Sequence, residues 1–254
     1  TYIDSKNTFR FTGYEHTLPA GLIERPDWTI LERDRSIDHY IREETQAYWA
    51  DETEDWQKGK KIVIVEVAKG CVARCTFCHR FEKGYRVSPL DSIINHLRML
   101  KKKYNVGYLS FGDENFGSYK KETKELTEKL AAEGFIWRAG GVRAHTVDLE
   151  TLKLWKKNGC FNVTYGIESG SPTMLKVMEK KITVEQNISA LKWTYEAGLS
   201  TILQLVIGMP GETDKTIDET IDFIVKTMPY YSDVFRNQLA LVFSVNYAQA
   251  LPGT

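Results

Sequence analysis

Cys71, Cys75 and Cys78 fall within the eight-residue run Cys-Val-Ala-Arg-Cys-Thr-Phe-Cys and are three of the four cysteines in the chain. The C-x3-C-x2-C spacing puts three thiolates on one short loop. A cubane iron–sulfur cluster has four irons, and full ligation by protein takes four cysteines. Three ligands leave one iron open to a small molecule, and chemistry would occur at that iron. Zinc is the main inorganic alternative. Structural zinc takes four ligands, usually as two separated pairs. His79 could be offered as the fourth, but as the immediate neighbour of Cys78 it reaches the same tetrahedral ion only with strain. Cys160 opens a predicted strand alone and reads as a small core hydrophobe.

The elements that position this loop follow from periodicity. Residues 62–67, Ile-Val-Ile-Val-Glu-Val, form a nearly continuous β-branched run, as expected of a strand buried on both faces. Ser88-Pro89-Leu90-Asp91 predicts a helix start with Ser88 as N-cap, Pro89 in the first position and Asp91 at the positive end. Ile93, Ile94, Leu97 and Leu100 continue it at helical spacing to Lys101-Lys102-Lys103. The same rhythm predicts strands over residues 107–111, 135–140, 161–167, 201–207 and roughly 239–245. Helices are predicted from Ser118 to Gly134, from Asp148 to Gly159, near Pro172, from Thr183 with a capping box to Gly198, and from Thr213 to about Met228. Six strands alternating with helices predict an α/β fold with a parallel sheet, curled into a partial (β/α)6 barrel of the TIM type.

In such folds ligands gather at the C-terminal ends of the strands. The unusual residues fall there: the cysteines after the first strand, Asp113-Glu114-Asn115 after the second, Arg143 after the third, Glu168-Ser169 at the fourth, and Gly208-Met209-Pro210-Gly211-Glu212 after the fifth. For Asp113 and Glu114 a solvated loop is the plain alternative. For Glu168 it is a structural ion pair inside the barrel, for Arg143 structural pairing, and for Gly211 a simple turn. Residues 79–86 carry His79, Arg80, Lys83, Tyr85 and Arg86 as a basic, aromatic loop. A solvated surface loop is the plain reading, contact with substrate or reductant the sharper one.

Bulk composition narrows the class. Hydrophobic residues make up 42% of 254, enough for a substantial core. Lys plus Arg and Asp plus Glu both count 34, so the formal net charge is zero and a nucleic-acid backbone is not the favoured partner. No apolar run reaches the ~18–20 residues of a membrane span, and Thr1-Tyr2-Ile3-Asp4 has no signal-peptide character. Clustered cysteines do not make a disulfide framework, so a reducing, cytoplasmic setting is expected. Residues 1–58 are rich in Trp, Tyr and acids without clean period and read as an extension wrapping a core over 59–254. The lack of an initial Met and the stop at Leu251-Pro252-Gly253-Thr254 read as a fragment of a longer protein.

The cysteine motif, with Phe77 before its last Cys and a strand before its first, resembles the radical S-adenosylmethionine (SAM) superfamily. Tyr165-Gly166-Ile167-Glu168-Ser169-Gly170-Ser171 resembles the fourth-strand motif of that family, and Ile207-Gly208-Met209-Pro210-Gly211-Glu212-Thr213 its fifth. The resemblance covers residues 61–254 and points to the branch that often carries an N-terminal cobalamin-binding domain. Leu18-Pro19 and Arg25-Pro26-Asp27-Trp28 resemble the linker after that domain.

The resemblance implies that Cys71, Cys75 and Cys78 ligate a 4Fe-4S cluster whose open iron binds SAM. One-electron reduction then yields a 5′-deoxyadenosyl radical that takes hydrogen from an organic substrate. It implies that Phe77 shields the cluster and that Asp113 and Glu114 stand near the SAM amine. Glu168 would accept from the ribose and Ser169 bond the methionyl carboxylate. Arg143 would pair with Glu168 or that carboxylate. Gln204 would contact the cofactor, and Gly208 and Gly211 would let backbone approach adenine. The implied reaction is a cobalamin-associated methyl transfer, with a cyclase or a tRNA or protein modifier without cobalamin as alternatives. Flavodoxin or ferredoxin is the implied reductant. A non-catalytic metal-binding module is the alternative from another class.

Overall fold

The computed structural model describes residues 2–3, 5, 8–10, 25–43, 59–78, 84–231 and 242–249. Leu18-Pro19, residues 49–56, His79, Arg80, Lys83, residues 239–241 and residues 251–254 lie outside the described residues. Two short strands, β1 (Tyr2–Ile3) and β2 (Phe9–Arg10), pair antiparallel.

The predicted extension contributes regular structure that its sequence pattern does not announce. Helix α1 (Trp28–Arg33) is capped by Asp27, whose carboxylate accepts from Thr29 N. Helix α2 (Ile37–Tyr40) leads into strand β3 (Ile41–Glu43), which pairs antiparallel with β4 (Lys61–Val65). Trp28 is buried and its indole donates to His96 Nε2, on the helix over Leu90–Tyr104, at 3.3 Å. A single buried tryptophan and one edge strand leave too little periodicity to be read from the sequence.

The first predicted strand breaks earlier than expected. After β4 the chain turns at Glu66-Val67 into a hairpin of β5 (Ala68–Cys71) and β6 (Gly84–Val87). Tyr85 and Arg86, expected in a loop, are therefore strand residues. Helix α3 (Leu90–Tyr104) starts with Pro89 at its cap and takes no side-chain hydrogen bond there. Ser88 does not cap it, because Pro89 is extended, at φ −54° and ψ 132°, and holds the cap position itself.

The remaining units are β7 (Val106–Phe111) with α4 (Lys120–Ala132), β8 (Ile136–Val142) with α5 (Leu149–Lys157), and β9 (Cys160–Glu168) with α6 (Pro172–Val177) and α7 (Val184–Glu196). Then come β10 (Ser200–Ile207), α8 (Asp214–Thr227) and β11 (Phe243–Tyr247). The expected capping box is present at Thr183 and Gln186, and Pro172 occupies the start of α6 behind the Ser171 cap. β11 runs to Tyr247, past the predicted end near residue 245, and the predicted start over residues 239–241 lies outside the described residues.

The sheet is seven-stranded in the order β3-β4-β7-β8-β9-β10-β11, parallel except for β3. It is curled into a half-barrel. The main core lies between sheet and helices, where Leu109, Trp137, Val163, Tyr165 and Leu203 are 0% exposed. On the other face Ile62, Tyr108, Ile136 and Phe161 close the N-terminal end of the strands as a separate apolar layer. The C-terminal end stays open. No helix among the described residues is long and apolar enough to cross a membrane.

Candidate functional site

At the C-terminal ends of β8, β9 and β10 the half-barrel opens into a cavity of about 490 Å³. One wall is the cysteine loop. Cys71, Cys75 and Cys78 all face the cavity, with Phe77 between the last two. Two contacts seat this loop on the C-terminal end of α6: Thr76 N donates to Met178 O at 3.0 Å, and Thr76 Oγ1 donates to Val177 O at 3.1 Å. Phe77 packs against Met174, Met178, Val206 and Met209.

The three sulfurs feel one another. The Cys78 thiol is pushed up by partial burial and, after that, by Cys75 and Cys71 beside it. Ala73 N donates to Cys71 Sγ at 3.4 Å, and the Arg143 guanidinium lies 3.8 Å from Cys75 Sγ. Hydrogen bonds to ligating sulfurs tune iron–sulfur potentials. Among the described residues no three His, Cys, Asp or Glu side chains form a group that could hold a metal ion. A structural zinc site would need a fourth protein ligand beside the three thiols. Three thiols spread along one wall, with N–H donors behind them, fit a polynuclear cluster in which each sulfur takes its own iron.

Another part of the wall is built on β9. Gly166 and Glu168 on this strand and Gln204 on β10 form it, Gln204 standing in register with Gly166. Glu168 holds a left-handed backbone at φ 64° and is 8% exposed. Its Oε1 accepts from Lys180 Nζ at 2.6 Å, an ion pair whose two side chains are 9% and 7% exposed. Lys180 is held inward by unusual backbone on both sides, with Glu179 at φ 49° and Lys181 at φ 54°. Its own carbonyl accepts from Arg143 Nη2 at 2.5 Å. A β-carbon on Gly166 would stand 2.5 Å from Glu168 Oε1 and 2.8 Å from Lys180 Nζ, so only glycine leaves room for the pair. Backbone strain of this kind collects at ligand sites.

Of the residues singled out by sequence, Cys71, Cys75, Cys78, Phe77, Glu114, Arg143, Glu168 and Gln204 line this cavity. The other four are placed elsewhere. Asp113 is turned away to the hairpin, where its Oδ1 accepts from Val67 N at 3.1 Å and Ala68 N at 2.5 Å. Its Oδ2 is buried without a partner, and burial pushes the carboxyl up to about 7. Ser169 points at α8: its Oγ lies 3.0 Å from Thr220 Oγ1 and accepts from Ser171 N at 3.0 Å. Gly208 and Gly211 form a turn with φ near 85° and 84°, in which Gly208 N donates to Glu212 Oε2 at 2.6 Å. Positive φ explains both glycines without a ligand. Arg143 meets the Lys180 carbonyl and Cys75; the Glu168 carboxylate is paired by Lys180 instead.

Lys180 is a charged cavity residue that sequence reading missed. It lies in a Glu-Lys-Lys run that looks like a solvated turn, and its partner is 12 residues away. The length of the short α6 hides the relation. Asn246 and Tyr247 at the end of β11, and Ala248 and Gln249 after it, also line the cavity and carried no motif.

The model of the radical SAM superfamily matches residues 65–224, more than half of the chain. The chain belongs to the radical SAM superfamily. An uncharacterized methyltransferase of Pyrococcus horikoshii is 32% identical over 173 residues, 66% of this chain and 38% of its own length. The anaerobic magnesium-protoporphyrin IX monomethyl ester cyclase of Rubrivivax gelatinosus is 28% identical over 203 residues, 77% of this chain and 33% of its own. The chain thus spans little more than a third of these curated relatives. Among solved structures, the cobalamin-dependent SAM radical enzyme OxsB with aqua-cobalamin bound superposes with a TM-score of 0.65 at 18% identity, over 95% of this chain and 36% of that one. The radical SAM methyltransferase TsrM from Kitasatospora setae, with cobalamin and a [4Fe-4S] cluster bound, gives 0.58 at 21% identity, over 65% and 32%. These two likenesses show the radical SAM half-barrel.

Proposed function

We propose that this chain is the radical-generating barrel of a cobalamin-associated radical SAM methyltransferase. The observation that carries the reading is the convergence on one cavity of three thiols and a buried carboxylate–ammonium pair. Cys71, Cys75 and Cys78 would hold a 4Fe-4S cluster. Bound there, the cluster supplies a site for the SAM amino acid group and the electron that cleaves the sulfonium to a 5′-deoxyadenosyl radical.

The residues of the chain do the positioning. Glu114, on the cavity wall, would accept hydrogen bonds from the SAM amino group, a contact assisted by the carboxylate charge. Lys180 and Arg143 supply positive charge for the methionyl carboxylate. Glu168 accepts from the ribose hydroxyls with the oxygen that Lys180 leaves available. Gln204 offers an amide to the nucleoside. Phe77, Val142 and Val206 exclude water from the reacting atoms. Asp113 and Ser169 act one step back, fixing the hairpin and the end of β9, and Gly208 and Gly211 shape the neighbouring turn.

Methyl transfer is favoured by the methyltransferase relative and by the cobalamin in both solved neighbours. Cobalamin would be held by a domain beyond these residues, and a flavodoxin or ferredoxin would supply the electron. A reducing cytoplasm suits thiols kept as ligands. The cyclase reading stands second because a cyclase matches 77% of the chain. Anaerobically reconstituted protein is expected to carry about four irons per chain and, with dithionite, to convert SAM to 5′-deoxyadenosine. With the cobalamin-binding domain present and its cobalamin reduced to cob(I)alamin, methyl transfer from SAM should give methylcobalamin and S-adenosylhomocysteine as second products if the methyltransferase reading holds. Iron at background level together with no 5′-deoxyadenosine would overturn the radical SAM reading; 5′-deoxyadenosine alone would favour the cyclase.

A further inference from the structure

We infer that the outer face of the cysteine loop and the α6–α7 turn together form the docking surface for an acidic one-electron carrier protein. The inference rests on the cluster assignment above, because it concerns how the electron reaches that site. Along the loop the side chains alternate as far as Phe77. Cys71, Ala73, Cys75, Phe77 and Cys78 line the cavity, while Val72, Arg74 and Thr76 are exposed on the other side. Thr76 stitches this outer face to the end of α6 through Val177 and Met178. The two segments are therefore one surface.

Across that seam lie Lys176, Val177, Glu179 and Lys181, all exposed. The left-handed backbone at Glu179 and Lys181 turns their side chains outward while Lys180 between them goes inward. Arg74, Lys176 and Lys181 against Glu179 leave a formal charge of +2 on a chain whose total is zero. Lys180 adds nothing to this surface, since Glu168 neutralises it inside. Two exposed valines, Val72 at 57% and Val177 at 38%, sit within this cationic surface.

A cationic surface with small apolar contacts suits a brief electrostatic encounter. Complementary charge raises association rates and makes them salt-dependent, without tight affinity. The position suits the task as well. The loop whose inner side carries the three thiols presents its outer side to solvent, so a carrier seated there is separated from the cysteines by the thickness of one loop. The carrier gives up one electron and is oxidised by one; the cysteine site accepts that electron, and no proton or group is transferred. The carrier is a small acidic protein with a one-electron flavin or iron–sulfur centre near its surface.

The test uses the anaerobically reconstituted chain and a flavodoxin, against the triple reversal R74E/K176E/K181E. A second variant, K176E/K181E, leaves the cysteine loop untouched. A charge-matched control, K102E/K121E/K215E, changes exposed lysines of other helices. Oxidised flavodoxin is expected to bind the parent chain in calorimetry at low salt and to bind both reversal variants at least about tenfold more weakly, with the control unchanged. Electron transfer from flavodoxin hydroquinone should slow in parallel and lose its salt dependence, while SAM cleavage driven by dithionite stays within about twofold. Equal flavodoxin binding by parent and reversal variants, or an equal loss in the control, would overturn the docking surface. Failure of dithionite to drive SAM cleavage in the parent would overturn the proposed function instead, and the binding contrast would still decide the surface.

Discussion

Two buried carboxylates occupy matching places in this half-barrel and have different fates. Asp113 follows β7 and Glu168 ends β9, both on the C-terminal rim, at 4% and 8% exposure. Asp113 spends one oxygen on two backbone N–H groups of the hairpin and leaves the other without a partner. No cation is hydrogen-bonded to it, so burial dominates and raises its pKa. Glu168 has an ammonium at 2.6 Å and faces the cavity. A carboxylate held by backbone serves the scaffold. A carboxylate held by a side chain, on strained backbone, at a cavity wall, is set to meet a ligand.

The contrast is sharpest when the ion pair is broken. Glu168→Gln leaves Lys180 buried without its counter-charge, which costs about 3–5 kcal/mol. The double variant E168Q/K180M should recover most of that stability in thermal melts, yet bind SAM at least about tenfold more weakly, since one charge-assisted contact is worth ~1.5–3 kcal/mol. Recovery of stability with full SAM affinity would make the pair purely structural.

Gly166→Ala is the next step down. Its methyl group must push apart the Glu168 and Lys180 tips. Both are ends of flexible side chains, so the fold should survive by circular dichroism while SAM affinity falls about tenfold, or ~1.4 kcal/mol. Unchanged affinity would show that the pair can move without consequence.

Asp113→Ala should show the reverse pattern. It leaves Val67 N and Ala68 N without their acceptor and costs about 1–3 kcal/mol, read as a lower Tm, with SAM affinity within about threefold once the cluster is loaded. A large loss of SAM affinity without a loss of stability would return Asp113 to the ligand site.

The smallest effect is in pH. The folded-state pKa of Asp113, about 7, stands above the 3.8 of a free aspartate side chain. The folded chain therefore holds more protons than the unfolded one between about pH 4 and pH 7. The contribution of this group to stability is full below that window and is lost as pH rises through it. Asp113→Asn should flatten this part of the Tm–pH curve, and an unchanged slope would assign the dependence to other groups.

Much of this was legible in sequence because it is local. The parallel strands declare themselves as β-branched runs, and the C-x3-C-x2-C loop and the Thr183 cap are complete within a few residues. Ionic partnership is not local. The Glu168–Lys180 pair is joined across a short helix, and the role of Asp113 depends on where the chain turns after β4, which no residue of its own segment reveals. The edge strand β3 escaped for a similar reason, since three residues carry no period. Adjacency misled in one case: Ser169 follows Glu168, but the left-handed backbone at Glu168 turns it toward α8.

The central claim is that Cys71, Cys75 and Cys78 hold a cluster with an iron left for SAM. Electron paramagnetic resonance of the reconstituted, dithionite-reduced protein, recorded without and with SAM, tests it most directly. The account predicts the signal of a reduced 4Fe-4S cluster that changes in g values when SAM is added, and its loss in C71A/C75A/C78A. A cluster signal indifferent to SAM, or a protein that takes up zinc and no iron, would contradict it.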